Sequence, residues 1–325
     1  MTVASLVGAE PASPLLDLMP RFAKAEGVDL AAPPLPHDPS LPGKGYEQHS
    51  LLYVAEWSKT LQIIHAGKII WTMPFDRKGE WEDAWMLSNG NILFARLTYA
   101  AEVTPEKQIV WRRDVPKGRE LATLAPLGLD RIAYVECGKP PTLVIEDKAT
   151  QKVLKSRELD FDPKGSVHPQ FRRLRVTAEG TFLVAYQTLN KVVEYDQDLQ
   201  EIWRYDVDFP SAVVALPNGN RLIVASREVD VREVTKAKEV VWSLKPTDLP
   251  EGQRHRYVQT ATRLANGNTI LATHVARDKP PQLVEVTRDK QVVWMLRDWD
   301  RLAGSTSVQV LTEPGLPEQP GGIGH

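Results

Sequence analysis

A short β-branched run that closes on tryptophan recurs along this chain of 325 residues and limits what it can fold into. The copies are Lys-Ile-Ile-Trp71, Gln-Ile-Val-Trp111, Gln-Glu-Ile-Trp203, Glu-Val-Val-Trp242 and Gln-Val-Val-Trp294, with Gln-Lys-Val-Leu154 as a sixth that lacks tryptophan. In five units a Glu or Gln stands nine residues before the tryptophan, at positions 62, 102, 194, 233 and 285. That interval fits two short strands and a tight turn. We predict one such hairpin per unit, with the tryptophan wedged between units and the acid bonded within or between them.

A second turn signal lies upstream of the tryptophan in each unit. It is clearest as Leu-Ser-Asn-Gly-Asn (87–91), Leu-Pro-Asn-Gly-Asn (216–220) and Leu-Ala-Asn-Gly-Asn (264–268). Asn-Gly between apolar runs favours a hairpin because a type I′ turn needs positive φ at both central residues. The strands that follow, such as Ile-Leu-Phe-Ala (92–95), are continuously apolar, as expected where both faces of a sheet are covered. Each unit is therefore predicted to hold four short strands.

The six markers lie 39 to 52 residues apart, about one four-stranded propeller blade each. The first unit begins near Leu51 and lacks an innermost strand, whereas Thr-Ser-Val-Gln-Val-Leu (306–311) has no partner in its own unit. Pairing these two segments closes the ring and removes the exposed sheet edges. The sequence thus predicts an all-β fold, a six-bladed β-propeller of four-stranded blades whose C-terminal strand completes blade 1.

Residues 1–49 differ from the rest of the chain, since eight of the 25 prolines fall there. Helical spacing of apolar residues is confined to Leu15, Leu16, Met19 and Phe22. We predict a short helix and an extended arm that packs on the side or lower face of the propeller or, alternatively, caps a pocket. The predicted organisation is an N-terminal arm (1–49), a propeller (50–312) and a C-terminal tail (313–325).

Composition excludes several functional classes. The 40 Lys and Arg residues are balanced by 42 Asp and Glu without a long basic run, so no nucleic-acid partner is expected. No stretch approaches the roughly 20 apolar residues of a membrane helix, so no membrane insertion is expected. The sequence has no HExxH, CxxC, calcium loop, phosphate-binding glycine loop or GxSxG elbow, and we predict neither a metal nor a cofactor. The single cysteine, Cys137, cannot form an internal disulfide and leaves the compartment open.

Polar function in a propeller is expected where loops enter the innermost strands and leave the second strands, because these loops converge on one end of the central channel. The candidate acid–base residues at this rim are His168, His255, His274, Tyr186, Tyr257, Glu82 and Glu136. The candidate substrate-binding residues are Arg96, Arg172, Arg173, Arg227, Gln170, Gln187, Trp57, Trp81 and Trp85. The arginines suit an anionic group and the tryptophans suit ring stacking. The alternative is that these side chains bond loop backbone and line a wet channel.

Three segments carry a family resemblance: Leu-Pro-Asn-Gly-Asn-Arg-Leu-Ile (216–223), Val-Glu-Val-Thr-Arg-Asp-Lys-Gln-Val-Val-Trp (284–294) and Val-His-Pro-Gln-Phe-Arg-Arg-Leu-Arg (167–175). With the repeats over most of residues 50–312, they resemble bacterial PQQ-like and arylsulfotransferase-like β-propeller proteins. Arylsulfotransferases pass a sulfuryl group through a central histidine, and the resemblance implies that place for His168, His255 or His274. It also implies export, to the periplasm or outside the cell, with the signal peptide absent from this chain. A cytoplasmic location is the alternative.

Three functional hypotheses follow from the fold and the rim. The first is an exported enzyme that acts on a saccharide or glycoside by β-elimination or hydrolysis, with histidine and tyrosine as acid and base. In it Arg96, Arg172 and Arg227 hold an anionic group, and Glu82 or Glu136 orients a histidine. The second is a non-catalytic propeller that binds a ligand or a protein partner through the same rim. The third is sulfuryl transfer, as the resemblance implies.

Overall fold

The computed structural model describes residues 13–55, 60–74, 80–227, 230–254, 257–274 and 279–321. Within these ranges, twenty-four strands form six antiparallel sheets of four strands each. The innermost strand of every sheet contacts the innermost strands of its two neighbours, so the six sheets close into a ring around a central channel. The predicted six-bladed propeller is therefore confirmed.

The first three blades are built in chain order. Blade 1 contains β1 (Leu51–Ala55), β2 (Thr60–His65) and β3 (Lys68–Pro74). Blade 2 contains β4 (Trp81–Met86), β5 (Ile92–Arg96), β6 (Tyr99–Val103) and β7 (Ile109–Asp114). Blade 3 contains β8 (Glu120–Leu127), β9 (Arg131–Cys137), β10 (Thr142–Asp147) and β11 (Val153–Glu158).

The second half of the ring follows the same plan. Blade 4 contains β12 (Phe171–Val176), β13 (Phe182–Tyr186), β14 (Lys191–Tyr195) and β15 (Glu201–Asp206). Blade 5 contains β16 (Pro210–Ala215), β17 (Arg221–Ala225), β18 (Asp230–Val234) and β19 (Val240–Leu244). Blade 6 contains β20 (Val258–Arg263), β21 (Thr269–Thr273), β22 (Leu283–Val286) and β23 (Val292–Leu296).

The last strand, β24 (Ser305–Val310), pairs antiparallel with β1 and gives blade 1 the order β24-β1-β2-β3. The C-terminal strand therefore completes blade 1, as the sequence predicts. This pairing joins the two ends of the propeller through backbone hydrogen bonds, with Leu51 opposite Val310 and Val54 opposite Ser307.

We call the end of the channel where inner strands begin the upper rim, and the opposite end the lower face.

Four of the five recurring tryptophans link their blade to the next one, as the repeat predicts. The indole Nε1 of Trp71 donates to the Pro105 carbonyl of blade 2 at 2.7 Å, and Trp242 donates to the Arg288 carbonyl of blade 6 at 2.8 Å. The recurring acids tie turns to neighbouring blades, since Glu233 accepts hydrogen bonds from Asn218 and Asn220 and pairs with two arginines of blade 6. These sequence markers are structural.

The N-terminal arm packs on the outside of the ring. A 3-10 helix (Pro14–Leu18) leads into α1 (Met19–Glu26), which buries Met19, Phe22 and Ala23 and lies against β3. Short 3-10 helices also occupy 45–47, 246–248 and 251–253. Farther along the arm, the Pro42 carbonyl accepts from the Met295 N–H and the Gly45 carbonyl accepts from the Trp294 indole. The arm thus covers the outer strands of blades 1 and 6.

Replacing Gly43 with alanine should weaken this contact. Gly43 has φ of 85°, and a Cβ atom there would lie 2.6 Å from Cδ1 of Trp294. Gly118 has the same φ, yet nothing lies within 4 Å of its Cβ position, so Gly118→Ala is a matched control for backbone strain alone. We expect urea unfolding to show that Gly43→Ala costs about 1–3 kcal/mol more than Gly118→Ala. Equal losses would contradict the packing described for the arm.

The C-terminal tail runs across the lower face. After β24, the Glu313 carboxylate accepts from the Ala265 N–H at 2.6 Å, and the Glu318 carboxylate accepts from the Ser88 N–H at 3.2 Å. The Glu318 carbonyl accepts from the Gly128 N–H. Pro317 and Gly321 then lie beside inner-strand residues at the lower end of the channel. The tail therefore covers part of the lower face. No helix among the described residues is long and apolar enough to span a bilayer.

Candidate functional site at the upper rim

Each of the six inner strands has a register shift close to its first residue, at the upper rim. A β-bulge places one extra residue on the bulged strand and turns its side chain away from the regular alternation. The six shifts fall at Glu82, Ala122, Arg172–Arg173, Ser211, Gln259 and Thr306. The rim is thus ringed by bulges, and blades 2 and 4 carry the charged ones.

His168 is held between an acid and an arginine in the loop before β12. Its Nδ1 lies 2.8 Å from Oε2 of Glu120, while Nη2 of Arg172 is 3.5 Å from its Nε2. Arg172 also donates through Nη1 to the His168 carbonyl at 2.9 Å. The hydrogen bond to Glu120 raises the pKa of His168 above its ordinary 6.5, against burial and the Arg172 charge. With the proton on Nδ1 shared with Glu120, Nε2 is the basic nitrogen.

The loop that carries His168 is fixed by Gln170. The Val167 carbonyl accepts from the Gln170 N–H, which closes a turn around His168. The buried Gln170 amide then bonds both backbone groups of Gly138, with its oxygen 2.9 Å from N and its nitrogen 2.9 Å from the carbonyl. Both polar atoms are thus occupied, so Gln170 positions the histidine loop where the sequence analysis expected a substrate contact.

A second acid and a second arginine lie beside this histidine. Glu82 is buried, and burial raises the pKa of its carboxyl against the charges of Arg172 and Arg173. Arg173 is fully buried, with Nη1 4.0 Å from Oε2 of Glu82. Its Nη2 donates to the Thr306 carbonyl at 2.7 Å, but Nε and Nη1 have no hydrogen-bond partner among the described residues. Arg173 is therefore held by the Thr306 carbonyl and places its positive charge beside Glu82.

We call Glu82, Glu120, His168, Arg172 and Arg173 the mouth cluster. Directly beneath it, Asp83 of β4 reaches Arg175 of β12 at 2.8 Å, and Thr123 donates to the same carboxylate at 3.0 Å. Both members of this pair are buried. The Asp83–Arg175 pair bridges blades 2 and 4 across the channel and forms the floor of the mouth.

His274 approaches the cluster from blade 6. Its Nδ1 lies 2.8 Å from the Tyr257 carbonyl, and the Tyr257 ring, 39% exposed, meets the imidazole edge-on at 6.4 Å. Burial, together with the charges of Arg172 and Arg173, lowers the pKa of His274, so this imidazole is neutral near pH 7. Two other predicted site residues, His255 and Trp57, lie outside the described residues.

Two predicted acid–base residues lie apart from the cluster. Tyr186 is fully buried, and its hydroxyl is hydrogen-bonded to the Tyr195 hydroxyl. Burial raises the pKa of Tyr186 above its ordinary value. Glu136 pairs with Arg119 at 2.6 Å. The acid that orients His168 is therefore Glu120, where the sequence analysis expected Glu82 or Glu136. Glu120 is the first residue of β8, and only the packing of blade 3 against blade 4 brings it to the histidine.

Trp81, Trp85 and Arg96 are buried inside the propeller, which corrects their assignment to substrate stacking and substrate binding. Trp81 is 1% exposed, packs edge-on against Phe94 at 4.8 Å and lies under the Arg96 guanidinium at 4.7 Å. Trp85 is four residues farther along β4 and lies at the lower end of the channel, beside Pro317. Its indole donates to the Leu124 carbonyl at 2.8 Å. No face of these rings is open at the upper rim.

The remaining predicted contacts also have structural surroundings. Arg227 is exposed, pairs with Asp208 at 3.0 Å and stacks on Phe209. Gln187 is buried, and its N–H donates to the Gln170 carbonyl. Cys137 is buried near the cluster, and burial raises its pKa to about 12, so it is a neutral thiol. No group of three or more His, Cys, Asp or Glu residues able to hold a metal is found in the ranges described.

The sequence matches no protein-family model and no curated protein. Among solved structures, it is similar to a Bacteroides caccae protein of unknown function, with 23% identity, a TM-score of 0.71, and coverage of 80% of this chain and 97% of that one. It is also similar to a Staphylococcus aureus virginiamycin B lyase, a catalytically inactive histidine-to-alanine variant with quinupristin. There the identity is 13%, the TM-score 0.53 and the coverage 76% and 85%.

A further similar structure is a streptogramin B lyase, with 12% identity, a TM-score of 0.53 and coverage of 82% of this chain and 92% of that one. At these identities the likeness shows the six-bladed propeller and no more. The PQQ-like and arylsulfotransferase-like family assignment stays a prediction, because no family model supports it.

Proposed function

We propose that this propeller is a lyase whose mouth cluster removes a proton from a carbon atom beside a carboxylate and expels a leaving group from the next carbon. The observation that carries the proposal is the pair of contacts that the His168 ring makes: Nδ1 is hydrogen-bonded to the Glu120 carboxylate, and Nε2 lies beside the Arg172 guanidinium. A base next to a fixed cation suits this chemistry because the cation stabilises the negative charge that develops on the substrate carboxylate.

In the proposed reaction, Nε2 of His168 takes the proton from the substrate carbon, and that electron pair forms the new C=C bond. The C–O bond to the leaving group breaks, and the leaving oxygen takes a proton from the Glu82 carboxyl. Glu82 suits the acid role because burial raises its pKa and favours the protonated form. The histidine proton and the Glu82 carboxylate then exchange with water, which restores the starting state without any oxidant.

Arg172 would bind the carboxylate of the substrate, because its guanidinium lies at the basic nitrogen of His168. A guanidinium pairs with a carboxylate through charge-assisted hydrogen bonds. Arg173 is fully buried behind it and would add positive charge beside Glu82 without touching the substrate. The substrate class that fits is a carboxylate-bearing saccharide, such as a uronic-acid oligosaccharide, in an exported enzyme.

Structural neighbours support lyase chemistry in a propeller of this size. The streptogramin B and virginiamycin B enzymes are lyases by description, and one of them is catalytically inactive as a histidine-to-alanine variant. The proposal takes from them only that a histidine-dependent lyase can be built on this fold. The substrate and the residues come from the mouth cluster.

The test is incubation with uronic-acid oligosaccharides, neutral glycosides and aryl sulfates, followed by mass spectrometry and ultraviolet absorbance. Elimination gives two products whose masses add up to that of the substrate and a new conjugated double bond that absorbs light. Products heavier by one water would identify a hydrolase, and a sulfuryl group retained on histidine would identify a transferase. Turnover of none of them, with ligand binding at the rim, would favour the non-catalytic propeller.

A further inference from the structure

His274 lies at the upper rim, on blade 6, where it directly follows β21. Its backbone N–H donates to the Tyr257 carbonyl at 3.4 Å, and its Nδ1 lies 2.8 Å from the same oxygen. Tyr257 has φ of 52°, a left-handed conformation that residues other than glycine keep only where the surrounding structure holds them. One carbonyl oxygen therefore fixes the imidazole from its Nδ1 side.

A short segment before β24 connects His274 to the mouth cluster. Gly304 lies directly against the His274 backbone, since an added Cβ there would clash with the His274 carbonyl. Two residues farther along, the Thr306 carbonyl accepts a hydrogen bond from Nη2 of Arg173 at 2.7 Å. The charges of Arg172 and Arg173 also reach the imidazole, because burial and these two charges lower the pKa of His274. His274 thus borders the same mouth as the two arginines.

The hydrogen bond to Tyr257 decides which nitrogen of His274 carries the proton. A carbonyl oxygen only accepts, so Nδ1 must donate, and the neutral ring has its lone pair on Nε2. The lowered pKa of His274 keeps the ring neutral near pH 7. Nε2 has no hydrogen-bond partner in the described part of the chain, and it is not one of the polar atoms buried there without a partner. Nε2 is therefore an acceptor that a bound ligand can reach.

An acceptor in this place selects one kind of donor. The neighbouring charges of Arg172 and Arg173 would repel a ligand ammonium. A ligand carboxylate has no proton to offer to Nε2 and is attracted to Arg172 instead. A neutral hydroxyl group on a carboxylate-bearing molecule meets both conditions, since the hydroxyl donates to Nε2 while the carboxylate pairs with Arg172. Sugar acids carry both groups.

We propose that His274 determines substrate specificity at the upper rim, because its Nε2 accepts a hydrogen bond from a hydroxyl group of a sugar acid whose carboxylate is held by Arg172. The rim thereby favours hydroxylated carboxylates over carboxylates without hydroxyl groups. This role rests on the proposed function for the carboxylate class of the substrate, but it requires binding alone and no elimination step. The proton stays on the hydroxyl oxygen, so His274 makes and breaks no covalent bond.

The test is a ligand-observed NMR titration of the full-length protein at neutral pH. The ligands are galacturonate, glucuronate and cyclohexanecarboxylate, which keeps the six-membered ring and the carboxylate but has no hydroxyl group. His274→Asn keeps an N–H donor near the position of Nδ1 and removes Nε2. It should lower the affinity for the uronates about five- to tenfold and leave the affinity for cyclohexanecarboxylate unchanged. His37→Asn, the same change in the exposed arm, is the matched control and should bind as the native protein does.

A second variant separates the lost acceptor from a general disturbance of the loop. His274→Gln places an amide oxygen near the position of Nε2, and this oxygen can accept a hydrogen bond. It should therefore recover part of the uronate affinity that His274→Asn loses. Both variants should melt near the native temperature.

Several results would overturn the proposal. Equal losses of affinity for the uronates and for cyclohexanecarboxylate would show that His274 only supports the loop. Unchanged uronate affinity in His274→Asn, or no binding of any uronate or uronic-acid oligosaccharide to folded protein, would also contradict it. A dependence on Nε2 for hippurate, whose donor is an amide N–H, without one for the uronates would assign the acceptor to an amide instead.

Failure of this role and failure of the lyase proposal give different results. A selective loss of uronate affinity in His274→Asn, with no turnover of any substrate by the native protein, would keep the specificity role and reject elimination. Turnover of a uronic-acid oligosaccharide with the same KM in His274→Asn as in the native protein would keep elimination and reject the specificity role.

Discussion

Replacing His168 with alanine should reduce turnover of the substrate found in the product screen by a factor of about 10² to 10⁴, the usual contribution of a positioned base. The imidazole is the proposed proton acceptor. Its neighbours cannot replace it, because the Glu120 side chain has no nitrogen and the Arg172 guanidinium stays protonated. The loss should appear in kcat more than in KM, because Arg172 remains to bind the substrate carboxylate. The measurement is steady-state kinetics of elimination.

The control for this variant is His37→Ala. His37 lies in the exposed arm, and its one hydrogen bond within the described part of the chain is to the Asp38 carbonyl. The arm packs on the outside of the ring, so the activity of His37→Ala should match that of the native protein. Both variants should melt at the native temperature, which excludes unfolding as the cause. Turnover of His168→Ala within threefold of native would remove the histidine from the mechanism.

Replacing Asp83 with alanine should lower the free energy of unfolding by about 3–5 kcal/mol, the cost of breaking one buried ion pair from one side. Asp83 is fully buried, receives two hydrogen bonds from Arg175 and balances the charge of the neighbouring Arg173. Its loss would leave a guanidinium in the centre of the ring without its acid. Urea unfolding followed by tryptophan fluorescence measures the effect.

A double variant separates the pair from the general sensitivity of the core. Asp83→Leu with Arg175→Met replaces both charges by apolar side chains of similar size, which commonly restores much of the stability lost when one partner is removed. We expect the double variant to be more stable than Asp83→Ala alone. If the double variant is the less stable of the two, the pair does not have the role assigned to it as the floor of the mouth.

The fold could be read from the sequence because its signals are local and repeated. Each Asn-Gly turn and each marker such as Trp242 predicts the same kind of hairpin in its own unit. The period is therefore still visible where one copy is imperfect, as at Leu154. Ring closure was also predictable, since the strand at 306–311 has no partner in its own unit. The structure confirms this closure, because β24 pairs with β1.

The site was harder to predict because it depends on side-chain direction and on contacts between blades. The sequence analysis assigns both Trp81 and Trp85 to the rim. In the structure Trp85 is four residues farther along β4 than Trp81 and therefore lies nearer the lower end of the channel. Bulges at Glu82 and at Arg172–Arg173 break the alternation that would assign side chains to a face. The contact between Glu120 and His168 joins blade 3 to the loop before blade 4, and no spacing in the sequence encodes a contact across that boundary.

The most direct test of the central claim is the pH dependence of kcat/KM for the native protein and for Glu120→Gln. A histidine acts as a base only when its imidazole is neutral, so activity should rise with pH through the pKa of His168, which Glu120 holds above 6.5. Glutamine removes that stabilisation of the charged imidazole, so the rise should move to lower pH and the plateau should fall. An unchanged midpoint in Glu120→Gln would contradict the account, because the titrating base would then be a group other than His168.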